Sequence, residues 1–188
     1  LNKGNAHGRI WRLRPNGQPG VLKVDLANAT VEELTQDLGD ENPWRRSTAQ
    51  RLLLERSDGD ARAPLARLIR DAGTPPPGVI RGLQVLGVLK LLEPSDVLVA
   101  LGHVDYGVRI HGLRLAAPWL DLDQDLRSHL TGMSEDPDPR VRLELAMTLG
   151  ESGESWPVAP LIELAVRHGK DGWMSTAILS SANSRNGG

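Results

Sequence analysis

The sequence predicts an all-α fold, a right-handed α-solenoid of about five helix pairs preceded by a short extended segment. Three observations carry this expectation. Four stretches align without gaps: Arg45–Leu54 (RRSTAQRLLL), Val108–Pro118 (VRIHGLRLAAP), Val141–Gly150 (VRLELAMTLG) and Trp173–Ala182 (WMSTAILSSA), with a more distant copy from Val79 (VIRGLQVLGVL). Small or apolar residues fall in register at positions 49, 83, 112, 145 and 177. Breakers recur between the helices of a pair, at Pro75-Pro76-Pro77, Gly102, Pro137 with Pro139, and Gly169. Repetition at about thirty residues marks a stack in which each unit buries its apolar face only against its neighbours.

The elements follow in chain order. In residues 7–14 (HGRIWRLR), Arg9, Trp11 and Leu13 alternate with Ile10, Arg12 and Arg14, the period of two of a strand. Pro15-Asn16-Gly17 reads as a turn and Val21–Val24 as a partner strand. A two-stranded ribbon is barely stable alone, so it is expected to lean on another part of the protein. Thr30 followed by Glu33 is a capping box that opens a helix through about Leu38. Asn42-Pro43 ends it, and a second helix runs from Trp44 to about Arg56. The same pairing is predicted for Ala61–Asp71 with Gly78–Leu92, and Pro94–Leu101 with Gly107–Trp119. Leu122–Met133 pairs with Pro139–Leu149, and Pro157–Val166 with Gly172–Ala182. Along the second helices, Val108, Gly112, Leu115 and Ala116, then Val141, Leu145, Thr148 and Leu149, form one inward stripe. Gly87 and Gly112 lie on it, each costing about 1 kcal/mol relative to alanine, which close approach of a neighbouring helix would offset. The expected division is residues 1–27 extended, 28–183 helical repeat and 184–188 a frayed tail.

Composition narrows the function classes. The 188 residues carry 22 Lys and Arg against 24 Asp and Glu, a net charge of −2, which argues against a general binder of phosphate backbones. The absence of cysteine excludes disulfides, thiolate metal sites, thiol nucleophiles and haem attachment within these residues. No apolar run is long enough to span a bilayer, and no charged leader with an apolar core opens the chain. The start at Leu1 suggests a piece of a longer protein.

Asp138-Pro139-Arg140-Val141-Arg142, then Ala146 and Leu149-Gly150, resembles the HEAT repeat, whose second helix typically begins D-P-x-V-R and runs through an alanine to L-G. Val108-Arg109 matches in part, whereas Val79-Ile80 and Trp173-Met174 lack the arginine. A narrower resemblance rests on the order HGRIWRLRP, WRRSTAQRLLLER, HGLRLAAPWLD, VRLELAMTLGE and WMSTAILSSA. It is similar to the middle of planctomycete- and verrucomicrobial-type membrane-bound dehydrogenases. There a sorbosone-dehydrogenase-like β-propeller ends in a G-R-I-[WY]-R strand, HEAT repeats follow, and a c-type cytochrome module carries C-x-x-C-H. The resemblance makes Gly8–Arg12 the last propeller strand, places haem c elsewhere in the parent, and implies a periplasmic or membrane-associated location. These residues contain neither a propeller body nor a haem motif.

The residues singled out are structural repeat positions: Arg46, Arg109 and Arg142 at the heads of second helices, Asp105 and Asp138 in the turns, and Gly112, Leu145 and Ala177 on the buried stripe. The arginines are expected to pair with turn acids, namely Asp40, Asp105, and Asp136 or Asp138. Asp121, Asp123 and Asp125 resemble the start of a calcium loop, but its sixth and twelfth positions hold Leu126 and Gly132, so they read as helix-N-terminal charges. His7, His103, His111, His129 and His168 show no metal-ligand spacing. Trp44, Trp119, Trp156 and Trp173 are expected to wedge between repeats and supply core bulk. No catalytic, cofactor or metal residues are expected. The predicted role is a non-catalytic scaffold or spacer for protein partners or adjacent domains of the same chain, with no nucleic-acid or membrane contact. The alternative is a HEAT-like nucleic-acid-binding or DNA-repair-type module.

Overall fold

The computed structural model describes residues 25–56 and 59–182. The ribbon expected within 7–24 and the tail at 184–188 lie outside them. Ten α-helices run through the described residues: α1 (Val31–Asp37), α2 (Pro43–Arg56), α3 (Arg62–Arg70), α4 (Pro76–Val88), α5 (Pro94–Leu101), α6 (Tyr106–Leu115), α7 (Gln124–Gly132), α8 (Pro139–Leu149), α9 (Val158–His168) and α10 (Gly172–Ser181). Among the described residues there is no strand. Residues 25–27, expected to be extended, enter a 3-10 turn over Leu26–Asn28 instead. The Asp25 carboxylate accepts from the Asn28 backbone and side-chain amides, and Leu26 is buried.

Local chemistry fixes the helix boundaries. At α1, the Thr30 hydroxyl accepts from Glu33 N (3.2 Å) while Glu33 accepts from Thr30 N (2.7 Å), the expected capping box. Helix α4 stops at Val88 rather than Leu92. Lys90 turns left-handed at φ 59° and Leu91 N closes back on Leu86 O at 2.8 Å. Helix α6 stops at Leu115 and gives way to a 3-10 turn at Ala117–Trp119, because Pro118 lacks an amide donor. Asp123 caps α7 by accepting from Leu126 N (2.8 Å), which moves that start from Leu122 to Gln124.

Packing alternates by two. Helices α1, α3, α5, α7 and α9 each touch the next of their own set, and α2, α4, α6, α8 and α10 do the same. Within pairs, α1 packs on α2, α3 on α4, α5 on α6 and α9 on α10, while α8 meets α7's end through the 3-10 turn at Met133–Glu135. Two layers consistent with an α-solenoid-like helical repeat result. The core forms two clusters, one centred on α1–α4 and one on α5–α10, with Leu92 and Leu115 packed against both.

The largest fully buried side chains are all leucine. Tryptophan does not supply the bulk: Trp44 is 60% and Trp173 78% exposed, while Trp119 and Trp156 are only partly buried. Trp44 and Trp173 lie two residues after a capping side chain, at the exposed start of their helices.

The caps Asp105, Asp138 and Asp171 recur at 33-residue intervals and define the register. It places Val108, Val141 and Met174 opposite one another, all buried. Leu145 is therefore matched by Ile178 rather than by Ala177, although Ala177 is itself buried. Gly112 matches Leu145 from the other side. A Cβ there would lie 3.0 Å from Ala100 Cβ and 3.2 Å from Leu101 N, so the bare backbone lets α5 approach. Gly87 is different: its Cβ would meet only Leu115 Cδ2, at 3.5 Å, and no close approach requires it.

Leu145 is fully buried, and Leu145→Asp is expected to remove more than about 4 kcal/mol by placing an unpaired charge between helices. Gly112→Val is expected to cost about 1–3 kcal/mol by overpacking. Gly132→Ala, where a Cβ meets nothing within 4 Å, should hold or raise the urea midpoint. Equal midpoints for Gly112→Val and Gly132→Ala would contradict this packing.

Candidate functional site

The three head arginines each sit four residues after a capping side chain, Asn42, Asp105 or Asp138. Arg46 Nη1 donates to Asp40 O (2.7 Å) and Glu41 O (2.9 Å). Arg109 Nη1 donates to His103 O (2.8 Å) and Val104 O (3.0 Å), and Arg142 Nη1 to Asp136 O. Their common partners are turn carbonyls, not the expected carboxylates of the same turn. The carboxylates are occupied with amides. Asp105 accepts from Gly107 N (2.8 Å) and Val108 N (3.2 Å), and Asp138 from Arg140 N (2.9 Å). Asp40 accepts from Asn42 N (2.7 Å) and pairs with Arg45. Of these arginines, Arg109 alone reaches a carboxylate among the described residues, donating from Nε (2.8 Å) and Nη2 (2.9 Å) to Asp136 in the following turn. Arg140, hydrogen-bonded to Asp138, holds that carboxyl's pKa down at about 2, and its guanidinium lies 3.5 Å from the Tyr106 ring centroid.

Two further acids clamp successive units: Asp96, which the sequence does not single out, and Asp121, which it reads as a helix-N-terminal charge. Asp96 is fully buried on α5 and receives Arg62 Nη2 (3.0 Å) and Arg70 Nη1 (2.8 Å) from α3. Asp121 accepts from Ser152 Oγ, from Gly153 N (2.8 Å) and from Trp156 Nε1 (3.1 Å). Burial works against the Asp121 charge, but these donors together with Arg127 outweigh it and leave its pKa lowered. Of the three acids expected as helix-N-terminal charges, Asp123 caps α7 and Asp125 lies in its first turn. Other rungs join neighbouring helices: Arg114 to Glu144 through two contacts of 2.9 Å, Arg67 to Glu32, and Ser134 to Glu163.

Among the grooves of the described residues, two lie between helix ends of the second layer. One, of about 370 Å³, lies at the heads of α8 and α10 between Arg142, Leu143, His168 and Trp173. The larger, of about 640 Å³, lies at the opposite ends of α4 and α6. Gly87, Val88, Lys90, Leu115 and Trp119 are among its walls. Both Gly87 and Lys90 carry a cost. A glycine in a helix is about 1 kcal/mol worse than alanine, and a lysine in the left-handed region costs roughly 1–2 kcal/mol.

His103 Nδ1 accepts from Asp105 N at 2.9 Å. Half-buried His111 has its pKa lowered by burial and by Arg114. Among the described residues, no cluster of three or more His, Asp or Glu is placed to hold a metal ion, and no helix is long and apolar enough to cross a membrane. No known family's sequence model matches the chain, and no curated protein matches it.

Because the folded pKa of Asp121 is depressed, its charge stabilises the fold above the ordinary carboxylate range and loses that effect as pH falls through the folded value. Asp121→Asn is expected to cost about 1–3 kcal/mol near neutrality. That gap should shrink as pH falls below about 4. Urea titrations at several pH values check this, and a pH-independent gap would contradict the assignment.

Proposed function

We propose that the chain is a HEAT-repeat solenoid segment that works as an interaction and spacer module, holding adjacent domains or a protein partner at a fixed separation. One observation carries the reading. Every helix meets its counterpart in the next pair, and polar clamps such as Arg62–Asp96, Arg109–Asp136 and Asp121–Trp156 bridge neighbouring units. A stack tied at each junction transmits position along its length, which is what a spacer does. The D-P-x-V-R start of α8 supports the HEAT assignment: Asp138 caps, Pro139 takes the first helical position, Val141 is buried and Arg142 binds its own turn.

The parent context follows from the sequence resemblance. The segment lies between a sorbosone-dehydrogenase-like propeller and a c-type cytochrome in a periplasmic or membrane-associated dehydrogenase, and it holds no cofactor of its own. The nucleic-acid alternative is weakened because Arg62, Arg70, Arg109 and Arg114 are engaged by carboxylates.

Two measurements test the proposal. In small-angle scattering, a solenoid of these 188 residues should have a radius of gyration clearly above the roughly 16 Å of a compact globule; a value at that limit would overturn the solenoid. The intact parent, produced with c-type haem maturation, should show a Soret band with reducible α and β bands. A colourless parent would remove the dehydrogenase context and leave the interaction module.

A further inference from the structure

We infer that the groove between the C-terminal ends of α4 and α6 is a docking site for an acidic, apolar peptide segment of a partner protein. This rests on the interaction-module reading and names the partner chemistry of one groove. The starting point is that two residues in its wall, three apart in sequence, are each the less stable choice for their backbone. Gly87 lies in the last turn of α4, where a Cβ would make only an ordinary 3.5 Å contact with Leu115 Cδ2, so alanine fits. Lys90 holds φ 59° just past the helix end, the position that glycine favours. Exchanging the two residue types would relieve both positions. Unfavourable local choices that converge on one concavity are a mark of a binding site, since stability and function are traded there. Gly87 leaves the wall bare of a side chain, and Lys90 sets a cation beside it.

The other lining residues define what fits. Val88 is 66% exposed, and beside it Leu92, Leu115 and Trp119 are only partly buried, an apolar trough of about 640 Å³. Its charged lining residues are Lys90 and Arg114, with no acid among them. Arg114 is held at both ends of its fork by Glu144 (2.9 Å each). Lys90 has no acid partner among the described residues, so it is the cation left to answer a carboxylate. An open trough leaves one side of its occupant in water, which suits a peptide strand better than a small molecule that must be enclosed.

The test is an NMR titration of the ¹⁵N-labelled chain with two synthetic peptide pools, one alternating Asp or Glu with Leu, Val or Phe, the other with Lys or Arg in place of the acids. The acidic pool should shift the Trp119 indole N–H and the Gly87 and Lys90 amides, and the basic pool should not. Lys90→Gly and Gly87→Ala should each raise Tm by about 2–4 °C, so neither tests binding through misfolding. Lys90→Gly should weaken the acidic pool about tenfold. Equal binding of the basic pool, no shift with either pool, unchanged affinity of Lys90→Gly, or lower Tm in both variants would overturn the site. Shifts confined to Trp173 and the groove at the heads of α8 and α10 would also overturn it, while leaving the interaction-module reading standing.

Discussion

Along α6 with its C-terminal cap, and along α8, the third, seventh, eighth and eleventh residues after the N-terminal cap are small or apolar, and all are buried: Val108, Gly112, Leu113 and Ala116, then Val141, Leu145, Ala146 and Leu149. A single helix pair cannot cover four such positions, because they span more of the helix surface than its partner reaches. The next pair covers the remainder, and the other contacts are arranged around that need. Helix α10 shows the same positions without a following pair among the described residues. Met174 is buried, Ile178 only partly, and Leu179 (74%) and Ala182 are exposed. Covering these residues in the inner units removes apolar area worth about 25 cal/mol per Å² from water. The polar rungs add direction to that attraction rather than most of its strength.

The turns between paired helices face a different problem, since their carbonyls have no intrahelical donors. Carboxylates cannot satisfy them, being acceptors themselves. The chain separates the two tasks: acids at the caps accept from amides, and an arginine one turn later donates to the carbonyls behind it. Arg46, Arg109 and Arg142 share this arrangement, although the cap before Arg46 is the amide oxygen of Asn42 rather than a carboxylate. Guanidinium suits the role because one planar group reaches two acceptors at once, as Arg46 and Arg109 do. Arg109 uses the rest of its fork on Asp136, so one side chain ties its own turn to the next unit.

The helical repeat was legible because its signals are local: the capping box at Thr30, prolines at helix starts and one apolar stripe per second helix. Boundaries went astray where a distant contact or a rare backbone state decided them, as at Lys90, whose left-handed turn ends α4 four residues early. The last repeat was misaligned by one because WMSTAILSSA offers small residues at adjacent positions, and only the Asp171 cap sets its phase. Arginines and acids of one turn looked like partners, since a sequence shows proximity but not which group already holds an amide. Asp96 carried no signal and Asp121 only that of a helix-N-terminal charge, because their partners lie about thirty residues away. Trp44 and Trp173 illustrate the converse error: bulk suggests burial, but both stand two residues past a cap and are largely exposed.

Nearest-neighbour stacking also explains how costly residues persist at the end of α4. In a globule with one shared core, a bare helix position and a strained turn weaken the whole. In a stack, the pair that bears them is clasped from both sides. Helix α4 packs on α3 within its own pair, on α2 before it and on α6 after it, and Val79, Leu83, Val85 and Leu86 are all buried by those contacts. That support lies along the body of the helix, while Gly87 sits in its last turn and Lys90 just past its end. The fold can therefore hold an unfavourable end rigidly in place. A groove built there keeps a fixed shape, which lowers the ordering cost of whatever binds it.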